Sequence, residues 1–163
     1  MDIAYKSFAA KPDLYRYILE QVEGTWAETA DMTAALANTS AILMLLMPDL
    51  NWAGFYLMKG EGLVLGPFQG KPAVAHIDVG AGVCGTAVAE RATQLVENVH
   101  QCCNHIACDL ATNSELVVPI FVGERVFGVI DLDSPVAARF DEEDRHGIEA
   151  LATTLGKLLA DRA

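Results

Sequence analysis

The chain has 163 residues, of which 52% are hydrophobic and 20% are charged, a composition that supports a folded core and argues against disorder. Its net charge is −11 and no cluster of Lys and Arg is present, so nucleic acid and anionic membrane surfaces are not expected as partners, because both require a basic face. We expect a single domain over residues 1–163.

The N-terminal residues show no basic segment followed by an apolar stretch, so no signal peptide is expected. The longest apolar run, residues 41–47, is far shorter than the ~20 residues of a membrane-spanning helix. We therefore expect a cytoplasmic protein, in which cysteines remain thiols. The four cysteines are Cys84, Cys102, Cys103 and Cys108, and their clustering favours a catalytic, redox or metal-binding role over structural disulfides.

Apolar residues recur at three- and four-residue spacing near the N-terminus, which predicts helices over 12–22 and about 27–47. Alternating runs and glycine turns further on predict strands, some of them paired in hairpins. The predicted strands are 51–57, 62–67, 74–79, 93–97, 116–122 and 126–132. A short helix is predicted over 83–91, and a closing helix runs from its capping residue Asp141 to about 160. This order predicts an α+β fold, a six-stranded, mostly antiparallel sheet flanked by N- and C-terminal helices.

The segment Gly80–Gly85 matches the G-x-G-x-x-G pattern of dinucleotide sites. Those sites need a parallel strand after a full crossover helix and an acidic residue ~20 positions on, whereas the next predicted strand here already ends at Glu97. We therefore favour a glycine turn over a nucleotide site. The turn sets Cys84 near a helix N-terminus, where the dipole favours a thiolate; the alternative is a small buried hydrophobic residue.

The predicted loop over 98–113 contains histidines and three cysteines, which are zinc ligands in other proteins. Because Cys102 and Cys103 are adjacent, the ligand spacing is irregular, and no second ligand pair follows. We therefore expect no metal. Cys108 lies in this polar loop just before a strand that carries acidic residues, which favours a chemical role over a buried structural one.

Three acidic residues lie in otherwise apolar strands, namely Glu115, Asp131 and Asp133. Asp131 and Asp133 point to the same face of the sheet, because side chains alternate along a strand. Burying a carboxylate in such a strand costs free energy unless the group is paired or takes part in binding or catalysis. The alternative is a set of surface acids at strand ends. Since Trp52 and Tyr56 also share one face of their strand, we expect a small pocket that is partly polar and partly apolar.

Six short segments distributed over nearly the whole chain carry a family resemblance. They are GPFQG at 66–70, GVCG at 82–85, HIACD at 105–109, NSELVVP at 113–119, GVIDLDS at 128–134 and FDEED at 140–144. Together they resemble the free methionine-(R)-sulfoxide reductases, which are GAF-domain enzymes. GVCG followed by IAC, whose cysteine lies 24 positions after the cysteine of GVCG, is the most specific combination. The resemblance implies a GAF-type fold.

The resemblance also implies a thiol mechanism for reducing free L-methionine-(R)-sulfoxide. Cys108 corresponds to the nucleophile, whose sulfur attacks the sulfoxide sulfur, so that methionine leaves and a sulfenic acid remains. A second thiol then forms an intramolecular disulfide, which reduced thioredoxin, the electron donor, reduces. The resemblance implies no bound cofactor, and it suggests a homodimer through the N-terminal helices.

By the same resemblance, Glu115, Asp131 and Asp133 hold the substrate and assist protonation of its oxygen. Clustered carboxyls with raised pKa values stay protonated near neutrality, and acids suit the ammonium group of a free amino acid. Trp52 and Tyr56 correspond to aromatic residues that wall the pocket around the S-methyl group.

The sequence departs from the family pattern at Val74, where many members have a resolving cysteine. The resolving role then falls to Cys84, which matches a family cysteine, or to Cys102 or Cys103 as alternatives. The alternative function is a sensory GAF module that binds a ligand without catalysis. Such modules usually adjoin an effector domain, which is not expected here, and a cyclic nucleotide would place its phosphate among three acids.

Overall fold

The structure, a computed structural model of the chain, describes residue 3 and residues 7–101 and 109–162. The helices are α1 (Lys11–Glu28), α2 (Met32–Leu46), α3 (Gly82–Glu90) and α4 (Glu142–Ala160). The strands are β1 (Trp52–Lys59), β2 (Gly62–Gly70), β3 (His76–Asp78), β4 (Gln94–Val96), β5 (Ser114–Val122) and β6 (Arg125–Ser134). No helix in these described ranges is long and apolar enough to cross a membrane.

The six strands form one sheet in the order β3-β2-β1-β6-β5-β4, and every neighbouring pair is antiparallel. Two tight turns close the hairpins β1–β2 and β5–β6, with positive φ at Gly60 (63°) and Gly123 (60°), a conformation that glycine adopts without steric cost. The predicted α+β architecture with a six-stranded antiparallel sheet is confirmed.

The boundary between the first two helices differs from the prediction. Helix α1 continues to Glu28, and the predicted start of the second helix near residue 27 is wrong. The backbone N–H of Asp31 donates to Thr29 Oγ1 (3.0 Å), and the Asp31 carboxylate accepts from the backbone N–H of Ala34 (2.8 Å). Asp31 therefore caps α2 and separates it from α1.

The predicted cap of the closing helix is present. The Asp141 carboxylate accepts from the backbone N–H of Asp144 (3.1 Å), while Asp144 Oδ2 accepts from the backbone N–H of Asp141 (2.9 Å), a reciprocal capping box. The buried Asp144 also accepts from the Tyr15 hydroxyl (2.6 Å) and pairs with Lys11 and Arg139. This network ties α4 to α1.

The two faces of the sheet are covered differently. One face packs against α2 and α4, and α1 packs against these two helices. Large apolar side chains are fully buried there; among them are Trp26, Leu36, Leu43, Phe55, Leu116, Ile130 and Leu151. The opposite face carries a second, smaller apolar cluster to which α3 contributes Val83, Cys84 and Ala87. The sequence-predicted site residues that the structure describes lie on this second face.

Candidate active site

The strand register brings the acids and an aromatic side chain onto one face of the sheet. Between β1 and β6, Trp52 lies opposite Asp133 and Gly54 lies opposite Asp131. Between β5 and β6, Glu115 lies opposite Asp133. Because directly opposed residues point to the same side of a sheet, these side chains converge. Neighbouring strands thus build the cluster from segments far apart in the sequence.

The three carboxyls are buried together with one thiol. Glu115, Asp131 and Asp133 are 5%, 6% and 7% exposed, and Cys84 is 3% exposed. The Cys84 thiol donates to Asp131 Oδ2 at 3.3 Å. One side-chain oxygen of Glu115, one of Asp131 and the Cys84 sulfur all lie within 4.8 Å of one another. We call Cys84, Glu115, Asp131 and Asp133 the acid–thiol cluster.

Burial and mutual repulsion raise the pKa values of the carboxyls of this cluster. Burial first, and the neighbouring Asp133 second, raise the pKa of Glu115 well above the ordinary carboxyl range. The pKa of Asp131 is raised by burial and by Glu115, and that of Asp133 by burial and by Asp131. None of the ion pairs found between described residues involves these three carboxyls, so no ion pair among them offsets the cost of burying a carboxylate.

The protonation of Cys84 differs from the expectation for a helix N-terminus. The residue does lie in the first turn of α3, but its pKa is raised well above the usual thiol value, first by burial and then by Asp131 and Glu115. The raised pKa disfavours the thiolate, and the burial of Cys84 within the apolar cluster agrees with the alternative of a small buried residue. The favourable helix dipole is outweighed because the sheet brings carboxyls against the sulfur.

The glycine turn before α3 acts as the predicted turn. The Gly80 backbone N–H donates to Gly85 O at 2.8 Å, and a Cβ on Gly85 would lie 2.3 Å from Asp78 O. Strand β4, which follows α3, pairs antiparallel with β5. The parallel crossover of a dinucleotide site is therefore not formed by these elements.

An aromatic wall closes one side of the cluster. The ring of Trp52 stacks on Tyr56 (centroids 6.0 Å apart) and on Phe68 (5.2 Å). Trp52 Nε1 donates to Lys71 O at 3.1 Å, and the Tyr56 hydroxyl donates to Val74 O at 2.9 Å. These bonds fix the rings, and they place Val74 beside Tyr56. Its side chain packs against the apolar cluster that includes Cys84.

A charged rim next to the cluster was not predicted from the sequence. The Asp109 carboxylate accepts from Lys71 Nζ (3.1 Å) and from Asn51 Nδ2 (3.4 Å). The pKa of Asp109 is lowered by the backbone N–H of Ala111 and by Lys71, and its charge contributes to the raised pKa of Asp133. The sequence does contain a signal for these two residues, because both adjoin segments that carry the family resemblance. Lys71 directly follows the GPFQG segment, and Asp109 ends the HIACD segment.

The predicted nucleophile Cys108 and the alternative resolving thiols Cys102 and Cys103 lie outside the described residues. The structure therefore brings together six of the nine predicted site residues. They are Cys84, Glu115, Asp131, Asp133, Trp52 and Tyr56.

Comparison with known proteins gives consistent results. Residues 13–160 match the family model of the GAF domain. The chain is 48% identical to the free methionine-R-sulfoxide reductase of Escherichia coli strain K12, covering 92% of this chain and 91% of that one. It is 38% identical to the enzyme of the same name from Saccharomyces cerevisiae, covering 95% and 91% of the two chains.

Solved structures extend the similarity to three dimensions. The X-ray structure of free methionine-R-sulfoxide reductase from Neisseria meningitidis, in complex with its substrate, superposes with a TM-score of 0.90 at 41% identity. The match covers 99% of this chain and 95% of that one.

Proposed function

Because the chain belongs to the GAF-domain free methionine-R-sulfoxide reductases, a family of oxidoreductases, we propose that it reduces free L-methionine-(R)-sulfoxide to methionine. The observation that carries the proposal is the buried acid–thiol cluster beside an aromatic wall. Thiol-dependent consumption of free methionine sulfoxide, with stoichiometric formation of methionine, tests it. A sensory GAF module, the alternative, would bind a ligand and leave it unchanged.

In the proposed mechanism the first step consumes one thiol. The Cys108 sulfur attacks the sulfoxide sulfur, the oxygen passes to the cysteine as a sulfenic acid, and methionine leaves with no net change in protons. Asp109, the covalent neighbour of Cys108, supports this assignment, because its carboxylate contacts Asn51 and Lys71 at the rim of the cluster.

The buried acids would supply the proton that the sulfoxide oxygen needs as its bond to sulfur breaks. A carboxyl with a raised pKa still holds a proton near neutrality and can donate it in the transition state. An ionised member of the cluster would attract the ammonium group of the free amino acid. The stacked rings of Trp52 and Tyr56 offer an apolar surface for the S-methyl group.

The second step would join Cys108 to a resolving thiol with loss of water, and thioredoxin would then reduce the disulfide. We propose Cys84 for this role, with Cys102 or Cys103 as the alternative. The support is that Cys84 belongs to the cluster and that residue 74, the usual resolving position of the family, is a valine that packs against the same apolar cluster. A disulfide requires Cα atoms within about 7 Å.

Mass spectrometry identifies the resolving thiol after reaction with one equivalent of substrate in the absence of reductant. We expect a Cys84–Cys108 peptide. Because the pKa of Cys84 is raised and only the thiolate attacks, this disulfide should form faster as the pH rises. Cys84→Ser should release one equivalent of methionine but turn over slowly. A Cys102–Cys108 or Cys103–Cys108 peptide would contradict the assignment.

Lys71 at the rim is proposed to pair with the substrate carboxylate, which the acids would repel. Lys71→Met should raise KM for free methionine sulfoxide about tenfold with little change in kcat. The reason is that the lost contact would stabilise the bound substrate and the transition state equally. With methionine sulfoxide amide, which lacks the carboxylate, the variant and wild type should have equal KM. Lys59→Met, at the opposite end of β1, is the control. An equal rise of KM with the amide contradicts the assignment.

A further inference from the structure

We infer that Cys84, Glu115 and Asp131 form a binding site for one divalent cation of the thiolate-binding class, with Zn²⁺ as the type ion. The three ligand atoms lie within 4.8 Å of one another, and Cys84 Sγ lies 3.3 Å from Asp131 Oδ2. Tetrahedral zinc, with bonds of about 2.3 Å to sulfur and about 2.0 Å to oxygen, separates its ligand atoms by about 3.3–3.5 Å. Shifts of an ångström or so would therefore complete the site.

The oxygens of the same cluster provide a second, independent observation. Asp133 Oδ1 and Asp131 Oδ1 are buried, and neither has a hydrogen-bond partner among the described residues. Asp133 lies two residues from Asp131 on β6 and faces the same side of the sheet. A buried carboxyl oxygen without a donor is costly, and a cation satisfies it directly. Asp133 or a water molecule would supply the fourth ligand.

Metal binding at this site would be coupled to proton release. A metal ion binds cysteine as the thiolate and Asp and Glu as carboxylates, so a cation displaces to solvent the protons that its ligands carry. The negative charges of the ligands then offset the charge of the buried cation.

The ligand set selects the type of cation. A sulfur ligand favours Zn²⁺ or Co²⁺, whereas Mg²⁺ and Ca²⁺ require oxygen ligands in greater number. Bound metal would occupy the carboxyls and the thiol that the proposed reaction uses. Inhibition of turnover by zinc therefore rests on the proposed function, whereas metal binding does not.

Titration of the reduced protein with Co²⁺ tests the site through the thiolate-to-cobalt charge-transfer band. We expect one Co²⁺ per chain in the wild type and in a variant that combines Cys102→Ser, Cys103→Ser and Cys108→Ser. Cys84→Ser should lose the band. Asp131→Asn should weaken cobalt binding at least tenfold. X-ray absorption of the zinc form should show one sulfur ligand.

The inference would be overturned by the absence of a band in the wild type or by two or more sulfur ligands on zinc. Loss of the band in the triple variant would also overturn it, because the metal would then be assigned to the other cysteines. Circular dichroism verifies that each variant is folded. If Cys84→Ser does not fold, Asp131→Asn tests the site instead, because this variant keeps the thiol. Unchanged cobalt affinity in Asp131→Asn would also overturn the inference.

Discussion

Replacement of Cys108 by serine is expected to abolish the release of methionine from free methionine-(R)-sulfoxide, even in a single turnover. A hydroxyl of ordinary pKa does not attack a sulfoxide sulfur, so the first step of the proposed mechanism is lost. We expect a loss of at least about a thousandfold, as for removal of other enzymatic nucleophiles. The measurement is methionine released per enzyme molecule after rapid mixing with one equivalent of substrate.

The matched control is Cys84→Ser, which removes the other thiol proposed to act. Because Cys84 is assigned to the second step, this variant should release one equivalent of methionine in the same experiment. Measurable single-turnover release from Cys108→Ser would remove that residue from the role of nucleophile. Loss of release in Cys84→Ser together with retention in Cys108→Ser would exchange the two roles.

The second large effect is expected at the acids. Glu115→Gln, Asp131→Asn and Asp133→Asn should each lower kcat/KM at least tenfold, about 1.4 kcal/mol of transition-state stabilisation. An amide can neither donate the carboxyl proton nor carry the negative charge that attracts an ammonium group. Asp78→Asn, at an exposed position of β3, is the control for a charge removed elsewhere and should keep its activity. Activity within a factor of two of wild type in all three variants contradicts the assignment.

The stability of Asp131→Asn should change in the opposite direction to its activity. The pKa of Asp131 is raised in the folded state, so its contribution to stability is fully present below the unfolded pKa and is lost as the pH rises through the folded pKa. The amide does not ionise and avoids this loss. The variant should therefore melt a few degrees above wild type at alkaline pH, and the difference should shrink as the pH falls. A difference in melting temperature between variant and wild type that does not change with pH would contradict the raised pKa of Asp131.

The sequence predicted the elements of the fold where the signal is local. Period-two alternation placed Asp131 and Asp133 on one face, and Asp141 gave the start of α4. The break between α1 and α2 was predicted at 23–26, whereas it lies at 29–31. The cap formed by Thr29 and Asp31 was the signal available.

The protonation of the site could not be predicted from local sequence. Asp131 lies 47 residues from Cys84 along the chain, and only the sheet brings its carboxyl to the thiol. The helix dipole, a local property, indicated a thiolate, whereas burial and the distant acids raise the pKa of Cys84. The pair of Lys71 and Asp109 also depends on a contact between distant segments.

The most direct test of the account is a turnover assay with the separated R and S epimers of methionine sulfoxide, each supplied free and within a peptide. In the proposed function the buried acids bind the ammonium group and the rim lysine binds the carboxylate, and only the free amino acid carries both groups. We predict that the free R epimer alone is consumed, with one methionine formed per sulfoxide and reductant used in equal amount. Equal rates with the peptide-bound sulfoxide, or no methionine from the free R epimer, would contradict the account.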